Sequence, residues 1–150
     1  MKSLIVLLIT ISVSLTGTSQ QAIFKYNVHG CAAGNNLSKN KNAAPENTQA
    51  AWQDTLLLRG DSLVYQRTEE HMCCRKVKLN YEIKKGVITI TEYWDGMGCK
   101  CRCSSSVEAV LKKIPAGTYH VKILATGTDP VTNKPTNGSE IIMEKKILVN

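Results

Sequence analysis

The chain has 150 residues, six cysteines, 43% apolar residues and a formal net charge of +7. That length makes one domain with a core of its own, so the cysteines reinforce a fold instead of replacing a core, and a pure disulfide scaffold is excluded. The charge is mostly lysine (Lys76, Lys78, Lys84, Lys85, Lys100, Lys112, Lys113, Lys122, Lys145, Lys146), scattered among apolar neighbours as on solvated strand faces; a nucleic-acid reader gathers arginine and aromatics on one surface, so that class is set aside and only weak attraction to acidic polymers or anionic lipid is expected.

Lys2, an apolar run over residues 4–13 and the small residues Gly17, Thr18 and Ser19 have the order of a secretory signal peptide, with cleavage expected after Ser19. The apolar run is shorter than the about 20 residues a membrane-spanning helix needs. No cysteine follows it closely, so no lipid anchor and no transmembrane segment is expected once the signal is removed. The expected organisation is a signal at 1–19, an N-terminal strand and flexible loop at 20–53, and a β-sandwich domain at 54–150. Residues 22–28 read as an edge strand. Residues 30–50 are small and polar and read as a loop.

From residue 54 the dominant period is two. Strands are expected at 55–58 and 63–68, joined by the turn Arg59-Gly60-Asp61-Ser62. That turn contains an integrin-type tripeptide, but Gly-Asp is ordinary turn chemistry. Val77, Leu79, Tyr81 and Ile83 alternate with polar residues, and residues 87–94 are β-branched and aromatic. A two-residue turn at Lys85-Gly86 sets Ile83 beside Ile88 and Tyr81 beside Ile90. Residues 105–114 read two ways. Ser105 and Glu108 form a capping box ahead of helically spaced Val107, Val110, Leu111 and Ile114, while Val107, Ala109 and Leu111 fit a strand. The strand reading is preferred because 114–119 leads straight into another alternating run. There Gly117 precedes Tyr119 as in the tyrosine corner of Greek-key sandwiches, whose hydroxyl bonds back to upstream backbone. Further strands are expected at 119–125 and 141–149, around a loop at 127–139. The predicted class is an all-β, antiparallel, immunoglobulin-like (Greek-key) sandwich of about seven to eight strands.

Cys73 and Cys74, and Cys99, Cys101 and Cys103, flank the hairpin, which brings both clusters to one end of the sheet. Adjacent Cys73 and Cys74 point to opposite faces and so choose different partners. Cross-strand neighbours about 4.5–5.5 Å apart suit a disulfide better than same-face neighbours on one strand. Cys73 and Cys74 are therefore expected to bond to two of the three, leaving the third for Cys31. The alternative is a tetrahedral zinc or copper(I) site from His71, Cys73, Cys99 and Cys101, with His29-Gly-Cys31 repeating the His-x-Cys spacing. Export into an oxidising compartment and the lack of a Cys-x-x-Cys knuckle favour bridges; a thiol oxidoreductase would want Cys-x-x-Cys at a helix start.

No histidine (His29, His71, His120) has a Ser/Asp context for a triad, and the spacing of Glu92, Asp95 and Glu108 singles out no carboxylate pair. Trp52, Tyr93 and Trp94 read as core or rim residues. Asn36 and Asn137 head glycosylation sequons, meaningful in a eukaryotic host only. The double cysteine, the Cys-x-Cys-x-Cys run and the segment 114–119 resemble uncharacterised exported and lipid-anchored β-sandwich proteins of Gram-negative envelopes, over roughly residues 54–126. The resemblance implies fold and compartment and carries no activity. The expected function is a secreted or periplasmic, non-enzymatic interaction module with a protein or glycan partner at the envelope, acting through loops 30–50, 95–98 and 127–139. A metal-binding envelope protein is the second expectation, an unrecognised hydrolase or inhibitor the third.

Overall fold

The computed structural model describes residues 21–31 and 54–150. The expected signal segment, most of the 30–50 loop, Asn36 and Trp52 lie outside the described residues. Eight strands follow: β1 (Ile23–Gly30), β2 (Thr55–Arg59), β3 (Ser62–Met72), β4 (Lys76–Lys84), β5 (Val87–Asp95), β6 (Arg102–Lys112), β7 (Gly117–Gly127) and β8 (Glu140–Val149). Among the described residues no helix is long and apolar enough to cross a membrane.

The strands form two four-stranded sheets, ordered β1-β6-β3-β2 and β4-β5-β7-β8. Their inner faces meet in a core in which Leu63, Tyr65, Ala109 and Leu111 of the first sheet and Ile88, Ile90, Val121 and Ile123 of the second are fully buried. The fold is thus an all-β sandwich, and β1 belongs to it as an edge strand paired to β6.

The β4–β5 hairpin has Ile83 opposite Ile88 and Tyr81 opposite Ile90. Its turn needs positive φ at both central residues, and Lys85 and Gly86 adopt 50° and 76°. Residues 105–114 are strand: β6 buries Val107, Ala109 and Leu111 and leaves Lys112 exposed. The helical reading fails because β6 lies between β1 and β3, where its backbone groups pair on both sides.

One pair departs from the expected antiparallel arrangement: β5 and β7 run parallel. Between them the chain crosses to the other sheet as β6 and returns. With a single strand spent in the other sheet, β7 re-enters its own in the direction of β5. A parallel pair needs such a crossover, here supplied by a strand where a helix is usual. Gly127, at the end of β7, faces Trp94 of β5; a Cβ there would collide with the Trp94 carbonyl.

The tyrosine corner is present. The Tyr119 hydroxyl donates to the Pro115 carbonyl at 3.0 Å. Tyr119→Phe is expected to lower stability by about 1 kcal/mol, the usual net worth of such a bond. Urea unfolding followed by circular dichroism checks this, and an unchanged midpoint would refute it.

Candidate functional site

Cys73 and Cys74 lie in the β3–β4 connection and Cys99 and Cys101 in the β5–β6 connection, both of which pass between the sheets, while Cys103 lies at the start of β6. Cys73 pairs with Cys101 and Cys74 with Cys99, at Cα separations of 5.6 and 5.8 Å. The third member, Cys103, takes Cys31 at a Cα separation of 6.5 Å, tying the end of β1 to the start of β6. No cysteine among the described residues is unpaired. The hairpin is only part of why they meet; the β3–β6 ladder, which sets His71 opposite Cys103, supplies the rest.

The same ladder places His71 beside the Cys31–Cys103 bridge. Its buried ring lies 4.7 Å from that of Trp94, centroid to centroid. The Nδ1 of His71 is 2.9 Å from the Met72 carbonyl, so Nδ1 carries the proton and donates. Nε2 is then the acceptor, 2.8 Å from the Ser105 hydroxyl and 3.6 Å from the Cys31 sulfur. Sequence spacing gave His71 no serine partner, because 34 residues and a sheet pairing separate the two. The couple does not constitute a hydrolytic centre: Ser105 is 2% exposed, and a main-chain carbonyl occupies the place of the triad carboxylate.

Cys31, His71 and Cys103 present ligand atoms that all lie within 4.8 Å of one another. Of the set considered from sequence, His71 joins Cys31 and Cys103, whereas Cys73, Cys99 and Cys101 belong to the other two bridges. β3 ends at Met72, so Cys73 lies in the turn beyond the ladder that holds His71. His29 is exposed near the end of β1. His120 is exposed and 2.7 Å from Glu144.

Toward this end the inward positions change character. Along β3 the series Leu63, Tyr65 continues as Arg67, Glu69, His71, and along β5 Ile88, Ile90 continues as Glu92, Trp94. Glu92 is fully buried and accepts three bonds: from the Tyr65 hydroxyl at 2.7 Å, Arg67 Nη1 at 3.0 Å and Trp94 Nε1 at 3.0 Å. Burial, reinforced by the Glu92 charge, pushes the Tyr65 phenol far above its ordinary range, so it remains a donor. Arg67 also pairs with Glu69. The parity of Glu92 with Ile88 and Ile90 was the signal for this network.

Beside it the sheets part into a cleft of about 540 Å³, walled by Arg67, His71, Arg75 and Trp94 and by the β7–β8 connection. Arg75 spans it: one terminal nitrogen donates to the Trp94 carbonyl at 3.0 Å and the Thr128 carbonyl at 2.9 Å. Among the described residues no carboxylate lies within ion-pair distance of Arg75, and its Nε has no acceptor.

The β7–β8 connection is shaped by Asp129. Its Oδ1 accepts from the backbone of Val131 and Thr132 and from the Thr132 hydroxyl at 3.0, 2.7 and 2.9 Å. Those bonds, chiefly the Thr132 backbone one, hold its carboxyl below the ordinary value of 3.8. A depressed folded-state value means this contribution is complete above pH 3.8 and fades as pH falls through the lower folded value. The Val131 and Thr132 amide resonances should therefore titrate with a midpoint below 3.8, and in Asp129→Asn should lose that titration. A transition at or above the ordinary carboxylate range would contradict the assignment.

No family model, curated protein or solved structure matches the chain.

Proposed function

We propose that this chain is an exported, non-enzymatic binding module of the secreted or periplasmic kind, which takes a small ligand in the cleft between its sheets. The observation that carries this is the run of polar inward positions Arg67, Glu69 and His71, which line a cleft of about 540 Å³ where a sandwich ordinarily continues its apolar core, with Glu92 buried behind Arg67. Three disulfides in a chain with its own core support an oxidising compartment outside the cytoplasm. They also agree with the resemblance to exported envelope β-sandwich proteins.

The balance of charge in the cleft suggests the ligand's class. Arg67 is paired with Glu92 and Glu69, which leaves Arg75 as the cleft-lining arginine without an ion-pair partner among the described residues. Trp94, Ala125 and Pro130 offer an apolar wall. A ligand with a carboxylate on an apolar body fits both features.

The test uses phenylacetate, phenylacetamide and phenethylamine as a matched series, read by amide chemical shifts of the full exported protein. Saturable shifts at His71, Trp94 and residues 126–128 with phenylacetate, weakened in Arg75→Gln, are the expected result. Shifts there with the amide or amine alone would keep the cleft and overturn the carboxylate. No localised shift with any of the three would overturn the cleft reading.

A further inference from the structure

We propose that Cys31, Cys103 and His71 form a zinc site that opens when their disulfide is reduced. The three groups come from β1's end, β6 and β3, adjacent strands of one sheet, so the β-ladders hold them together whether or not the bridge is closed. Zinc bound at about 2.3 Å to sulfur and about 2.0–2.1 Å to nitrogen sets tetrahedral S and N ligands roughly 3.6 Å apart. Cys31 Sγ and His71 Nε2 are 3.6 Å apart.

His71 is already oriented for this role. A ligating imidazole ordinarily gives its other N–H to a carbonyl or carboxylate, which fixes tautomer and ring plane. The Met72 carbonyl takes that proton from Nδ1 and leaves Nε2 as the lone-pair atom, which zinc would take over from the Ser105 hydroxyl it now accepts. Ser105, whose hydroxyl is 3.6 Å from Cys31 Sγ and 2.8 Å from Nε2, adds a polar wall. Cys31 is exposed, which gives metal and reductant a way in. Two thiolates and one imidazole make three protein ligands, with the fourth position left to water or another donor.

The chemistry balances with a dithiol reductant. Its two thiols surrender two electrons and two protons to the Cys31–Cys103 bond and close into their own disulfide. Zinc then displaces the two cysteine thiol protons, and the neutral imidazole binds without losing one.

The full exported protein is incubated with zinc, oxidised or after reduction with dithiothreitol, then desalted anaerobically for zinc analysis and circular dichroism. Oxidised protein should bind no zinc, and reduced protein should hold at least one equivalent with its β signal retained or restored. Cys31→Ser/Cys103→Ser removes two ligands and His71→Gln the third while keeping all six cysteines. The double variant should hold one equivalent less, and His71→Gln should bind that equivalent at least roughly ten-fold more weakly. If both variants match reduced wild type, the inner cysteines hold the metal and the proposal is overturned. It is overturned equally if reduced wild type takes up no zinc, or if zinc leaves it unfolded.

Discussion

Glu92→Leu should lower stability by about 3 kcal/mol, the cost of leaving the partners of a buried ion pair without their acceptor. Glu92 is fully buried, and its removal strands the Tyr65 hydroxyl, the Trp94 N–H and one end of Arg67, whose side chain is 16% exposed. Arg67 retains Glu69, which keeps the loss below the upper end for buried pairs. Glu92→Gln should cost less, because its amide oxygen still accepts while its NH2 faces a donor. Replacing the set together, as Tyr65→Phe/Arg67→Met/Glu92→Leu, should recover part of the loss, since apolar groups of similar volume leave only the Trp94 N–H without its acceptor and release the partly exposed Glu69. Urea midpoints at constant slope give the comparison. A single Glu92→Leu within about 0.5 kcal/mol of wild type would mean the carboxylate does not organise this end of the core.

The legible part of the fold was the part fixed by neighbours in sequence. Alternation from Val77 to Ile83 and the Lys85-Gly86 turn set the β4–β5 register residue by residue, because a one-residue slip would send every apolar side chain outward. The Tyr119 corner was readable for the same reason, its acceptor lying four residues upstream. The parallel β5–β7 pair was not readable. No local pattern says which strand the chain rejoins after crossing as β6. The candidate sites were half readable. Cysteine parity and the hairpin anticipated which clusters would meet. The place of His71 beside Cys31 and Cys103 depends on β1–β6 and β3–β6 pairing across tens of residues. Arg67 and Glu92 sat on inward parity throughout. Polar character argued for the surface, and only the carboxylate's three donors reconcile the two.

The three bridges should differ in weight, and not in proportion to their number. Loop-closure entropy assigns about 4 kcal/mol to Cys31–Cys103, which spans 72 residues, and about 3.5 kcal/mol to a loop near the 25 and 28 residues of the inner pair. The inner bridges join the same two connections, so with one closed the other closes a loop of only about five residues, worth about 2 kcal/mol by the same relation. Removing either inner bridge should therefore cost less than removing Cys31–Cys103, and removing the second inner bridge should cost more than the first. The outer bridge also anchors β1, an edge strand paired only to β6 and tied across the sandwich by the Tyr81 hydroxyl to the Ala22 carbonyl at 2.9 Å. In Cys31→Ser/Cys103→Ser the β1 amides near His29 should exchange first, with those near Phe24, whose ring lies 4.9 Å from that of Tyr81, held longer. Denaturant midpoints and hydrogen exchange measured on the same variants decide the matter. Equal, additive losses for the three bridges would show that strain or residual structure, not chain topology, sets their contribution.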